Sequence, residues 1–415
     1  MPSPRTRQGG ALLATLLTLV TTPGASTSAA SGPAAGSVGH GSLSNAAEAI
    51  TAGRELIQQA RQNSDKGLLA KAEQAFQRAI DLEPGRADGY VGLASLALSR
   101  HHFQQALELG RTAQELAPAS SQPLGAVFDA LVELGRYDEA RDAIEAMLRI
   151  RPDLSSLSRL SYFHELHGRL DLAIEAMEQA IVAGSSDVEH VTFARTVLGH
   201  LWLLEGDFGR ARQVFDDALA AIPGYVPALV GSARFAAATD DWAAAQGLLE
   251  EALEAQQEPV VMVLLGEAQE VSGDLAGAED TYRQAVVTEA AHRATGEAPE
   301  AFGSVLEADH GDPALALTLA QLAYDHAPSI GTADAMAWAL FKIGDLQSAQ
   351  EHADEALRTD TVDPVILYHA GVIAAANGQR DRAAGLLRAS LSRSAAGPLR
   401  LRAEVGAALE TNAGA

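Results

Sequence analysis

Leu198–Pro223 reads LGHLWLLEGDFGRARQVFDDALAAIP, and the spacing inside this stretch decides the fold. Gly206 stands between two apolar-rich segments of about a dozen residues each, a length that suits a short helix. A glycine at that point relieves the left-handed end of a first helix, and Asp207 directly after it can cap a second. Gly199 and Ala211 are small where two such helices would cross, so the backbones can approach. Pro223 ends the second helix, because it has no amide donor and clashes with the preceding turn.

The pattern recurs. Ala72-x3-Phe76-x2-Ala79-x4-Pro84 repeats the second half, and Ala106, Ala113 and Pro118, then Ala140 and Pro152, follow at nearly the same interval. Aligned throughout, units start near Gly53, Ala87, Ser121, Leu154, Thr192, Val226, Pro259, Glu297, Ile330 and Pro364, with intervals of 33, 34 or 38 residues. The two long intervals place insertions near Gly184–His190 and Ala290–Gly296, expected as loops between units. Gly135, Gly168, Gly273, Gly311, Gly344 and Gly378 take the turn position of Gly206, and Asp274, Asp312 and Asp345 the capping position. A fixed period near 34 is the mark of stacked supersecondary units, none of which buries its apolar face alone.

Leu-Gly, an aromatic, Gly, Ala, an aromatic, Ala and Pro at these spacings resemble the tetratricopeptide repeat family. The resemblance covers roughly residues 50–397. It implies an all-α, right-handed α-solenoid (a superhelix) of about ten antiparallel helix pairs over residues 44–397. Residues 398–410 read as a C-terminal capping helix: Pro398 suits a helix start, and Leu401, Val405, Ala408 and Leu409 make one apolar face.

In this family first helices line the concave groove, and their positions 2, 5, 9, 12 and 13 face a bound peptide. Carried over by register, these positions nominate Tyr162, Phe193, Thr196, His200, Arg234, Glu267, Asp334, Trp338 and Tyr368 as groove residues, with Tyr162 and Trp338 exposed to a partner. This mixed surface with aromatics suits protein recognition. The Lys and Asn set with which one subtype grips a terminal carboxylate is missing. Trp202 takes the family's aromatic packing position and is expected in the core.

The N-terminus reads as an address. Arg5 and Arg7 precede a ten-residue, mostly apolar run from Ala11 to Val20, too short to span a bilayer. Small residues then permit cleavage after Ala30. Residues 1–30 thus match a secretory signal peptide, and residues 31–43 a Gly/Ser/Ala linker. The expected destination is periplasmic or extracellular, with no membrane insertion once the signal is removed.

Composition narrows the function. A net charge of -24, from 30 basic and 54 acidic residues, disfavours binding to nucleic acid. With no cysteine, thiolate chemistry and Cys-based metal sites are excluded. Phosphate-loop, nucleophile-elbow and H-E-x-x-H patterns do not occur. His164 and His167 share a helix face but lack an identifiable third ligand. The expectation is a non-catalytic scaffold without cofactor or metal that binds a protein segment in its groove. The alternatives are an accessory or assembly subunit of a cell-envelope complex, docking by its convex face or ends, and, least favoured, an enzyme.

Overall fold

The computed structural model describes residues 45–63, 67–184, 188–294 and 300–414. The signal segment 1–30 and the linker 31–43 lie outside the described residues. All regular elements described are helical. They fall into two compact units that divide at Ser155.

Three pairs occupy the first unit: α1 (Ala46–Asn63) with α2 (Gly67–Leu82), α3 (Ala87–Ser99) with α4 (Phe103–Leu116), and α5 (Gln122–Glu133) with α6 (Tyr137–Ile150). Asn45 caps α1 by accepting the Glu48 amide on Oδ1. Inside this unit the first helices stack side by side, α1 on α3 and α3 on α5. Phe76 of α2 explains the close stacking. A Cβ on Gly53 would lie 2.7 Å from its ring and one on Gly92 2.4 Å from it. The ring therefore wedges between two successive first helices that must both be glycine there.

Seven pairs follow in the second unit. They are α7 (Leu154–Leu166) with α8 (Leu170–Ala183), α9 (Val188–Glu205) with α10 (Phe208–Ala221), α11 (Val226–Ala238) with α12 (Trp242–Ala255), α13 (Pro259–Val271) with α14 (Leu275–Arg293), α15 (Ala301–His310) with α16 (Pro313–His326), α17 (Ile330–Ile343) with α18 (Leu346–Ala356), and α19 (Pro364–Ala376) with α20 (Arg380–Arg393). A last helix, α21 (Leu401–Gly414), packs on α20. The aromatic wedge recurs: Phe215 of α10 lies 2.4 Å from a Cβ built on Gly199 and 2.2 Å from one on Gly231, and Tyr282 lies 2.5 Å from one on Gly266. Trp202 is buried as expected, with the Arg210 guanidinium 4.4 Å above its ring.

Most pair turns follow the expected chemistry. Gly135, Gly168, Gly206, Gly273, Gly344 and Gly378 all have φ between 67° and 91°. Asp207, Asp274 and Asp345 accept the amides of Arg210, Gly277 and Ser348. Gly311 departs from the expectation. Its φ is −125°, and the turn is held by Glu307, whose Oε2 accepts the Asp312 amide at 3.1 Å. Two turns without glycine place His101 and Asp240 at positive φ instead.

Three other expectations need correction. Of the two expected loops, Val188–His190 and Ala290–Arg293 are helical: α9 already runs from Val188, and α14 continues to Arg293. Helix continuation keeps backbone groups paired where an exposed loop would leave them to solvent. Residues 185–187 and 295–299 lie outside the described residues. The terminal helix starts at Leu401, not Pro398: the residues before it form a turn in which the Leu401 amide donates to the Pro398 carbonyl, while the Leu399 amide meets Glu267. Leu401 and Val405 are nevertheless fully buried, joining the core of α15, α17 and α19.

Candidate functional site

In the second unit the inner sides of the first helices carry a buried polar ladder. Its first rung is Glu165 of α7 and His200 of α9, with Oε1 and Nε2 3.7 Å apart. Burial, with Asp363 adding repulsion, raises Glu165 to about 8. Burial and then Arg234 lower His200 to about 3. Near neutrality both are uncharged, so the close approach is not an ion pair.

Arg234 of α11 is the next rung and is only 3% exposed. Burial lowers it to about 10, opposed by Glu267 and Asp363, so it stays cationic. Its Nε and Nη2 have no hydrogen-bond partner among the described residues. Glu267 of α13 follows, raised to about 7 by burial against the opposing pull of Arg400 and the Leu399 amide. One turn on, Glu270 Oε2 accepts from Tyr282 at 3.1 Å and from Arg400 at 2.5 Å.

A second cluster lies between α15, α17 and α19. His369 Nδ1 contacts Asp334 Oδ2 at 2.9 Å, and its ring stacks on Trp338 at 4.0 Å. The Trp338 indole donates to Asp309 Oδ1 at 2.9 Å, and Lys342 Nζ sits 3.0 Å from the same oxygen. Burial raises the Asp309 carboxyl, with Lys342 opposing. Elsewhere in this unit, a Cβ built on Gly168 would stand 2.4 Å from the Asp360 carbonyl oxygen. The turn after α7 thus meets the segment before α19, and the inner surface closes.

The nine nominated residues therefore divide. Phe193, Thr196, His200 and Arg234 line one small cavity of about 40 Å³ with Glu165. Glu267 joins them through the chain's own C-terminal segment. Asp334, Trp338 and Tyr368 belong to the second cluster, Tyr368 tilted at 6.1 Å from Trp338. Tyr162 and Phe193 are half-buried. Trp338 and Tyr368 are 0% exposed, so the expected exposure of Trp338 is corrected. Its ring is consumed by stacking on His369 and Phe341.

Glu165, Glu270 and Asp309 were missed although they occupy positions 12 or 13 of their repeats, which the same register could have supplied. His369, Asp363, Leu399 and Arg400 had no such signal. A larger space of about 670 Å³ remains open beside the ladder, lined in part by Leu203, Arg234, Trp242, Val271, Leu399 and Arg400. No group of three or more His, Asp or Glu among the described residues is placed to hold a metal ion. No helix among them is long and apolar enough to cross a membrane.

Family models described as tetratricopeptide repeat match residues 57–121, 128–188, 203–261 and 335–398, more than half of the chain. A curated relative, cellulose synthase operon protein C of Pseudomonas fluorescens (strain SBW25), is 25% identical over 203 residues, 47% of this chain. That match spans only 16% of the relative's length. The human IFIT1 dimer with m7Gppp-AAAA is similar in structure, with a TM-score of 0.53, 15% identity and coverage of 77% of this chain and 72% of that one. PilW, a type IV pilus biogenesis factor, aligns at a TM-score of 0.42 and 18% identity over 48% of this chain and 91% of its own.

Proposed function

Because the chain belongs to the tetratricopeptide repeat family, we propose that it is a non-catalytic interaction scaffold that holds an extended segment of a partner protein against its first helices. The observation that carries this is the ladder Glu165, His200, Arg234 and Glu267. It sets polar groups on successive first helices, of which Arg234 lines the open space, with no nucleophile–base pair in hydrogen-bond contact among these four. A single positioned segment could meet several repeats at once. Export to the periplasm or beyond remains part of the reading, on the strength of residues 1–30.

The test is photo-crosslinking in the producing cell. A benzophenone side chain replaces Phe193 in the full chain, and in a control it replaces Glu254 on an outer helix face. A protein adduct specific to position 193 is expected. Adducts at 254 alone would favour the second reading, a cell-envelope assembly subunit docking by its outer surface. That reading draws on the stretch shared with the cellulose synthase operon protein. N-terminal sequencing of the mature chain checks export, with Ser31 expected first.

A further inference from the structure

The inner surface of the second unit already holds a segment of its own chain. After α20 a short helical turn, Ser394–Ala396, lies against α9 and α11. Gly397–Arg400 then runs on to α13. Leu399 enters the apolar cluster built by α11 and α13, including Leu229, Val261 and Leu265. Its amide donates to Glu267 Oε2 at 2.7 Å, and the Arg400 guanidinium reaches Glu270. These contacts are those of a bound peptide: a backbone amide and a cation on two carboxylates one helical turn apart, and a leucine in an apolar slot.

The resident segment is nevertheless an incomplete occupant. Arg234 is buried beside it with Nε and Nη2 lacking any acceptor among the described residues. A buried donor without an acceptor is destabilising, and an incoming main-chain carbonyl would supply the acceptor. Some 670 Å³ of open space adjoins both Arg234 and Leu399, which gives a competing segment room to enter. The chain's net charge of -24 and its paired glutamates favour a basic segment.

We propose that Ser394–Arg400 is a built-in pseudo-ligand, and that the partner is an extended segment carrying a leucine followed by an arginine, which displaces it from Glu267 and Glu270. This rests on the interaction reading above and adds the chemistry of the partner to it. The segment is anchored at both ends, by α20 and by Leu401, so displacement remodels a short connection and leaves the flanking helices in place.

The probe is a fluorescein-labelled peptide with the resident sequence, SAAGPLR, and a control ending in Asp-Glu. In the full chain, Leu399→Asp with Arg400→Glu releases the resident segment. The released chain should bind the probe roughly tenfold more tightly than wild type, ignore the control, and lose the gain when Glu267→Gln and Glu270→Gln are added. A released chain with wild-type helical content that binds no more tightly overturns the proposal. If the released chain does not fold, wild type decides: excess probe should accelerate hydrogen exchange at the Leu399 amide, and unchanged exchange overturns the proposal. A protein adduct at position 193 without probe binding would reject the pseudo-ligand and leave the scaffold reading intact. Failure of both would reject the groove itself.

Discussion

Leu399 donates its backbone amide to Glu267 across a separation of 132 residues, and both groups are buried. A carboxylate that accepts this bond is stabilised in its charged form, yet burial still raises Glu267 to about 7. The contact therefore sits near its titration point at neutral pH. Glu165, raised to about 8, shares this behaviour without any such donor.

These shifts have a sign for stability. An acid whose folded pKa is raised stabilises the fold fully below its unfolded value, near 4.5, and loses that contribution as pH rises through the folded value. His200 is depressed to about 3, so its contribution is complete above about 6.5 and is lost as pH falls. Between about 4.5 and 6.5 the rising slope from His200 offsets that of only one of the two glutamates. The melting temperature should fall from about pH 6.5 to 8. Glu165→Gln should flatten that fall, as read by calorimetry; a variant with the wild-type slope would refute the assignment.

The Phe215 wedge makes a packing prediction. Phe215→Ala should cost about 3–5 kcal/mol through the cavity it leaves. Gly231→Ala, with its Cβ 2.2 Å from that ring, should cost about 1–3 kcal/mol by overpacking. In the double variant Phe215→Leu with Gly231→Ala, the costs should be less than additive, since the smaller side chain makes room. Urea midpoints of wild type, Phe215→Leu, Gly231→Ala and the double variant measure this, and strict additivity would count against the wedge.

Asp309 gives a third. Trp338→Phe removes its indole donor and should cost about 1–3 kcal/mol. Lys342→Met removes its only ion-pair partner among the described residues and should cost more, about 3–5 kcal/mol. Adding Asp309→Asn to Lys342→Met should recover part of the loss, because no buried charge is then left alone. Denaturant titration of the three variants settles the order.

Glycines in different backbone settings should respond oppositely. Gly206 has φ +83° and open space around it, so alanine there should cost about 1–2 kcal/mol by backbone strain alone. Gly247 lies inside α12 with helical φ and nothing within 4 Å of a built Cβ. Gly247→Ala should stabilise by up to about 1 kcal/mol. Thermal melts of both variants should move in opposite directions.

The helix pairs, their period, the close approach at Gly199 and the aspartate caps are legible in the order of residues alone. These depend on contacts within one repeat or between neighbours, so a period near 34 residues records them. It also placed Arg234 and Glu267 on first helices facing inward. Whether such residues meet solvent was decided only by the tertiary structure. Exposure depends on how the small offsets between successive pairs accumulate, and in the second unit they bring Gly168 against Asp360. Trp338 is buried by His369 and Phe341, and Glu267 by a segment beyond the last repeat. The Leu399–Glu267 contact has no periodic signature, because a repeat pattern encodes neighbours and this bond joins residues that only the closed fold brings together.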